Sequence, residues 1–203
     1  MSRRPGFRVD LSACTGCKAC QIACQDRHDL APDVRWRRVA EVAGGGWVRR
    51  GSLWIDESHA YFVSVACLHC ERPICAEVCP TRAIRKGEDG IVTIDADRCM
   101  GCRYCAWACP YGAPQFDAAA GVMTKCDLCR DLLEAGRDPA CVAACPMRVL
   151  GVADFPVPSG EGDETFPLPP AALTEPRMSL APHRDVERAA AADPRIANEE
   201  EIR

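Results

Sequence analysis

Sixteen cysteines in four groups of four constrain this chain more than any other feature of its 203 residues. The first group is Cys14, Cys17, Cys20 and Cys24, spaced C-x2-C-x2-C-x3-C. The second is Cys67, Cys70, Cys75 and Cys79, spaced C-x2-C-x4-C-x3-C and followed by Pro80. The third, Cys99, Cys102, Cys105 and Cys109, repeats the spacing of the first and precedes Pro110. The fourth is Cys126, Cys129, Cys141 and Cys145, spaced C-x2-C-x11-C-x3-C and followed by Pro146. No cysteine is left over.

The groups also repeat in pairs. The run from Val9 to Cys17 matches the run from Ile94 to Cys102, with Asp10 opposite Asp95 and Gly16 opposite Gly101. Likewise Cys79-Pro80-Thr81-Arg82-Ala83-Ile84 matches Cys145-Pro146-Met147-Arg148-Val149-Leu150. The order is therefore A–B–A′–B′, an internal duplication.

Iron–sulfur chemistry explains the spacing. A [4Fe–4S] cube offers four irons, and each takes one thiolate; three closely spaced cysteines wrap one cube and the fourth, ahead of a proline, reaches another. Gly16 and Gly101 are placed where the backbone must bend close to the group it holds. Zinc modules instead use separated C-x2-C pairs. A disulfide needs a separation and direction that three cysteines within seven residues do not offer. The sequence thus predicts four [4Fe–4S] clusters. Which groups share a cube is left open by spacing. Groups II and III lie close, as do III and IV, whereas residues 25–66 separate I from II. Proximity favours II with III and hence I with IV.

The expected fold is α+β: duplicated two-cluster ferredoxin-like units of the bacterial type, with an inserted β-hairpin region and an extended C-terminal arm. Residues 1–150 are read as the cluster domain, with the insertion at 25–66, and residues 151–203 as a proline-rich, partner-binding arm and tail. Phe7 to Asp10 and Ile91 to Ile94 read as short strands, and Cys20 to Gln25 and Cys105 to Cys109 as helical turns. Around Gly44-Gly45-Gly46, Arg35 to Ala43 and Trp47 to Val65 alternate apolar and polar residues, which predicts a hairpin with a loose turn. Trp36, Trp47 and Trp54 are expected to form a small local core there. Half of the 16 prolines lie beyond Leu150, so Phe155 to Pro182 reads as an extended arm without a core of its own. Arg184 to Arg203 is charged and alanine-rich, a short helix or a disordered end.

A formal net charge of −4 gives no grip on nucleic acid. No apolar run approaches the ~18 residues of a membrane span. The start has the paired Arg3-Arg4 without an apolar stretch behind it, so it does not read as a secretory or twin-arginine signal. Export, if it occurs, is expected to rely on a partner. No nucleophile–base pair or phosphate loop is recognisable, and a non-catalytic role follows. His69 is expected in a solvated loop. Arg82, Arg103, Lys125 and Arg148 sit beside ligands, either offsetting cluster charge or forming plain surface. Tyr104 and Trp107 are expected to shield a cluster from water.

Three stretches carry a family resemblance: Cys14 to Cys20, Gly101 to Gln115, and Met123-Thr124-Lys125-Cys126-Asp127. Together they resemble the iron–sulfur subunit of anaerobic dimethyl sulfoxide reductase, over about residues 5–150. A looser likeness continues at Leu168-Pro169 and Thr174-Glu175-Pro176. The resemblance implies an electron-transfer subunit between a molybdopterin-containing catalytic subunit and an integral membrane anchor with a quinol site. It implies a heterotrimer peripheral to the cytoplasmic membrane, with the periplasmic face favoured. It also implies the ligand sets: Cys14, Cys17, Cys20 and Cys145; Cys126, Cys129, Cys141 and Cys24; Cys67, Cys70, Cys75 and Cys109; and Cys99, Cys102, Cys105 and Cys79. By the same resemblance the first set lies nearest molybdenum and the last nearest the quinone side. Cys24 lacks the following proline, as it does in relatives. A free-standing polyferredoxin carrier is the alternative, as is the same subunit in a sulfite dehydrogenase or selenate reductase complex.

Overall fold

The cysteine loops cut the chain into short elements, and the fold is a mixture of small helices and short strands. The computed structural model describes residues 4–155, 167–191 and 195–202. The rest of the proline-rich arm (156–166), parts of the tail (192–194 and 203) and the first three residues lie outside the described residues.

Strand β1 (Pro5–Asp10) buries Phe7 and Val9 and delivers the chain to Cys14 through a single 3-10 turn. Asp10 caps that turn by accepting from the Ser12 amide at 2.9 Å. Asp95 does the same for the Asp97 amide at 3.1 Å, just ahead of Cys99. The two aspartates that match in the repeat thus perform the same capping, which satisfies an otherwise orphaned amide. Helix α1 (Ala19–Arg27) follows the first loop, and the insertion supplies β2 (Arg38–Gly44), β3 (Trp47–Arg50), β4 (Leu53–Asp56) and β5 (His59–Val65). Next come α2 (Ile74–Glu77), β6 (Ile84–Lys86), β7 (Val92–Ile94) and α3 (Tyr104–Ala108). They are followed by β8 (Gln115–Asp117), β9 (Val122–Thr124), α4 (Arg130–Glu134), α5 (Ala140–Ala143) and β10 (Leu150–Asp154). The C-terminal segment adds β11 (Met178–Ala181), α6 (Val186–Ala191), β12 (Arg195–Ile196) and α7 (Glu199–Ile202).

Strand β1 lies between β10, antiparallel with Val9 opposite Leu150, and β11, parallel with Phe7 opposite Met178. A second sheet has the order β12-β2-β5, and β3-β4, β6-β7 and β8-β9 form two-stranded ribbons. Helix α1 packs on α5, and α2 on α3. The larger core joins β1, β2, β5 and β10 through Phe7, Val9, Val42, Tyr61, Val63 and Leu150. A smaller one, with Ile84, Val92 and Met123, surrounds Cys75 and Cys105.

Two expectations change. The run Trp47 to Val65 is not one strand, because the Gly51 turn, in the left-handed region at φ 65°, folds β3 onto β4. The partner of β2 is therefore β5. Trp36 packs locally, its indole N–H donating to Thr124 Oγ1 at 3.0 Å, but Trp47 and Trp54 ride on that extra ribbon at 66% and 63% exposure, outside any local core. The described part of the arm also bonds to its own chain. Backbone bonds hold it where apolar side chains are few: Glu71 N donates to Glu175 O, Arg72 N to Thr174 O and Arg177 N to Leu68 O. The stretch Met178–Ala181 contains no proline, so it can complete a ladder with β1.

Candidate metal centre

The cysteine loops are pre-shaped by backbone that repeats with the sequence. Gly16 and Gly101 have φ of 67° and 70°, and an added Cβ would meet the Phe62 ring at one and the carbonyl of Gly121 at the other, each at 2.5 Å. Non-glycine residues enter the same left-handed region at matching places: Lys18 and Arg103 (φ 60° and 65°), His69 and Leu128 (43° and 64°), Arg82 and Arg148 (52° and 53°). Such residues are uncommon and cost strain unless the surroundings impose them. Their recurrence turns successive amides inward, the geometry that favours anionic sulfur. Amides of Met123 and Leu128 point at Cys99 Sγ and Cys126 Sγ, at 3.3 and 3.4 Å.

Three hollows of similar empty volume open among the cysteines, about 320, 290 and 300 Å³. The first is lined by Cys14, Cys17, Cys20 and Cys145. Cys67, Cys70, Cys75 and Cys109 line the second. Cys79, Cys99, Cys102 and Cys105 line the third. Each takes three cysteines from one group and the fourth from another. The remaining four, Cys24, Cys126, Cys129 and Cys141, are all buried. The packing of α1 on α5 brings Cys24 towards Cys141, and the thiols of these four act electrostatically on one another.

The donor set fits iron–sulfur clusters. All sixteen cysteines are free of disulfides. Burial pushes the Cys24, Cys70 and Cys75 thiols up to about 12, and Cys105 and Cys129 to about 11. Bare thiols there would stay protonated at neutral pH, whereas a coordinating metal deprotonates a thiol outright. Cys79 is the exception. Burial pushes it up, but amides of Ile84, Ala83 and Thr81 and the Thr81 hydroxyl together bring its pKa below the ordinary thiol value.

Charged neighbours divide sharply. Arg82 and Arg148 are exposed; Arg103 is exposed too, its guanidinium 3.8 Å from the centroid of the Phe116 ring. Lys125 is buried, lines the hollow of Cys67, Cys70, Cys75 and Cys109, and donates to the carbonyls of Val92 and Cys126. His69 is fully buried, which corrects the solvated-loop expectation. Its Nδ1 accepts from the Val92 amide at 3.1 Å, and burial, then Lys125 and Arg177, hold its pKa well below the usual value. Tyr104 and Trp107 are 52% and 78% exposed, their ring centroids 5.7 Å apart and their planes tilted by 35°. Short helix α3 has only its Cys105 side inward.

Sequence reasoning missed three residues. Arg37 and Arg38 are both buried; Arg38 donates to Tyr111 O at 2.7 Å, and its charge faces Cys109. His28 Nε2 reaches Cys129. The available signal was two adjacent arginines at the entry to the mainly apolar strand Arg38–Gly44, where burying charge is costly without a counter-charge.

Comparison with known proteins agrees with this chemistry. A 4Fe-4S dicluster domain model matches residues 58–155. A chain of the anaerobic dimethyl sulfoxide reductase of Escherichia coli strain K12 is 42% identical over 205 aligned residues, covering the whole of both chains. A chain of the polysulfide reductase of Wolinella succinogenes is 33% identical over 191 residues, 91% of this chain and 97% of its own. A subunit of the sulfite dehydrogenase of Allochromatium vinosum is 38% identical over 167 residues, 75% of this chain and 70% of its own. The chain belongs to the family of iron–sulfur subunits typified by that of anaerobic dimethyl sulfoxide reductase.

Proposed function

We propose that this chain is the non-catalytic electron-transfer subunit of a dimethyl sulfoxide reductase-type complex and holds four [4Fe–4S] clusters. Cluster 1 takes Cys14, Cys17, Cys20 and Cys145; cluster 2 takes Cys24, Cys126, Cys129 and Cys141. Cluster 3 takes Cys67, Cys70, Cys75 and Cys109; cluster 4 takes Cys79, Cys99, Cys102 and Cys105. The observation that carries this reading is the sorting of the cysteines three-plus-one in each of the three hollows. The matched left-handed residues support a duplicated architecture, and the hollows that bring Cys145 to group I, Cys109 to group II and Cys79 to group III support units made of groups I with IV and II with III.

A [4Fe–4S] cluster, when bound, supplies a one-electron couple whose potential its surroundings set. The residues divide that work by exposure. Cys24, Cys126, Cys129 and Cys141 are buried, and Cys67 and Cys75 are buried beside Lys125 and Tyr111, which excludes water from the middle of the relay. The two outer hollows open beside apolar surface. Exposed Cys17 and Met147 line one and exposed Met100 lines the other, with exposed Ile22 close in sequence to the first and exposed Tyr104 and Trp107 close in sequence to the second. These are the two ends at which partners exchange electrons. By family likeness, the first end meets a molybdopterin-containing catalytic subunit and the second an integral membrane anchor with a quinol site. The anchor holds the chain at the membrane surface, with the periplasmic face favoured. No helix among the described residues is long and apolar enough to cross a membrane itself. Within the chain, residues 1–150 hold the clusters and 151–203 meet a partner while also bracing the cluster region. The terminal oxidant is a property of the catalytic partner.

The test is metal analysis and co-purification without oxygen. About sixteen irons per chain are expected, from sixteen cysteines in four sets, together with elution beside a molybdenum-containing subunit. Predominant zinc refutes the cluster reading. Elution of the iron-loaded chain alone favours a free carrier.

A further inference from the structure

Arg37 is 1% exposed, and its partners are unusual for a buried guanidinium. Its Nη2 donates to Cys141 Sγ at 3.4 Å. Its Nη1 donates to the Ser64 carbonyl and hydroxyl, at 3.3 and 3.4 Å. That hydroxyl in turn lies 3.3 Å from Cys20 Sγ. Phe7 closes the opposite side, its ring centroid 4.1 Å from the guanidinium carbon. Among the described residues no carboxylate forms an ion pair with Arg37. Burial alone would pull its pKa down; the surrounding thiols, Cys141 first and then Cys126, Cys20 and Cys24, outweigh that and hold it up. An isolated buried charge costs several kcal/mol, so a fixed anionic counterpart is required.

We propose that Arg37, with Ser64, is a cationic bridge between clusters 1 and 2 that raises the reduction potentials of both. The proposal rests on the four-cluster reading above. Arg37 touches a ligand of cluster 2 directly and reaches a ligand of cluster 1 through Ser64. Both residues come from the insertion, Arg37 just before β2 and Ser64 within β5, so delivering this bridge is one task of residues 25–66. An arriving electron adds negative charge inside a poorly screened interior. A fixed cation there favours the reduced state, and a hydrogen bond to a ligand sulfur acts in the same direction. Because the cation is shared, it shifts both couples in the same direction. Arg37 is a positioning residue; it does not ligate iron.

The experiment is a redox titration by paramagnetic resonance on the full chain, prepared without oxygen, with iron measured alongside. Parent iron tests the four-cluster reading separately: a shortfall in the parent refutes that reading and, with it, the bridge that rests on it, whereas a full complement leaves the bridge to be decided by the midpoints. In Arg37→Gln the iron is expected to stay. Two of four midpoints should fall by an amount that lowers the reduced-to-oxidised ratio at fixed potential at least tenfold, about 59 mV for a one-electron couple. Arg37→Lys keeps the charge and should recover part of the shift. Iron retained with all four midpoints unchanged, or all four displaced equally, overturns the proposal. If Arg37→Gln loses iron, Ser64→Ala decides. It should lower a single midpoint at full iron content, and no shift there overturns the bridge.

Discussion

His28 Nε2 lies 3.3 Å from Cys129 Sγ, so a ring just past the end of α1 meets a thiol of the fourth cysteine group. The Trp36 ring packs on the imidazole with centroids 4.7 Å apart, and Asp127 lies 3.8 Å from the same nitrogen. Burial pulls the His28 pKa down against the opposing pull of Asp127. With iron on Cys129 the sulfur is an acceptor, and Nε2 carries the proton. Hydrogen bonds to cluster sulfurs raise potentials. His28→Phe keeps the ring against Trp36 and removes the N–H. Iron content should hold while one midpoint falls. A titration indistinguishable from the parent would assign His28 to packing alone.

Glu71 joins the N-terminal strand to the second cysteine group. Its Oε1 accepts from Arg4 at 2.8 Å and from Lys86 at 2.6 Å. Burial raises the carboxyl pKa, but the bonds from Lys86 and Arg4 outweigh it and hold it below the usual value. A depressed folded pKa means stability that is present above the unfolded carboxylate range and disappears as pH falls through the lowered value. Glu71→Gln at neutral pH should cost about 1–2 kcal/mol locally, read as roughly tenfold faster amide exchange in β1 and around Glu71. On acidification the parent should converge on the variant. Equal exchange at neutral pH would show that the pair contributes nothing.

The site is legible in sequence because cluster chemistry fixes spacing locally: all sixteen cysteines, the aspartate caps and the loop glycines follow from short-range rules. Long-range contacts are not. Arg37 reaches Cys141, 104 residues away, and His28 reaches Cys129 across 101; neither separation leaves a local pattern. His69 defeats sequence reasoning because a histidine between two ligands resembles a loop residue until Val92 and Arg177 cover it. In the arm, backbone ladders and a buried arginine, neither of which apolar content measures, hold the described segment against its own chain.

That arginine, Arg177, makes the arm testable. Its Nε donates to His69 O at 2.7 Å and its Nη1 to Asp89 O at 3.4 Å. Next to it, Thr174 Oγ1 lies 3.1 Å from the Tyr111 hydroxyl, above the hollow of Cys67, Cys70, Cys75 and Cys109. Arg177→Ala strips partners from two carbonyls at a cost of about 2–4 kcal/mol. Under an anaerobic chelator, iron from cluster 3 should leave first and faster than in the parent. Iron release at the parent rate from every set would return the arm to a role in partner binding only.

Cys102 is the most informative ligand to replace. It lines the outer hollow with Cys79, Cys99 and Cys105, on the end lined by exposed Met100, with exposed Tyr104 and Trp107 close in sequence. Cys102→Ser leaves three soft thiolates, enough to hold three irons, while the fourth loses its sulfur ligand. The expected product is a three-iron cluster. Cluster type and net charge are two of the main settings of reduction potential, and the potential at this end should rise enough to trap the electron arriving from quinol. A reduced dye can deliver electrons beyond the trap, so dye-driven turnover should survive where quinol-driven turnover fails. Paramagnetic resonance of the oxidised variant, measured beside both activities, checks each step. A three-iron signal with quinol turnover lost places Cys102 at the quinone-side end. A spectrum without that signal, or quinol turnover equal to the parent, would move this cluster elsewhere in the relay.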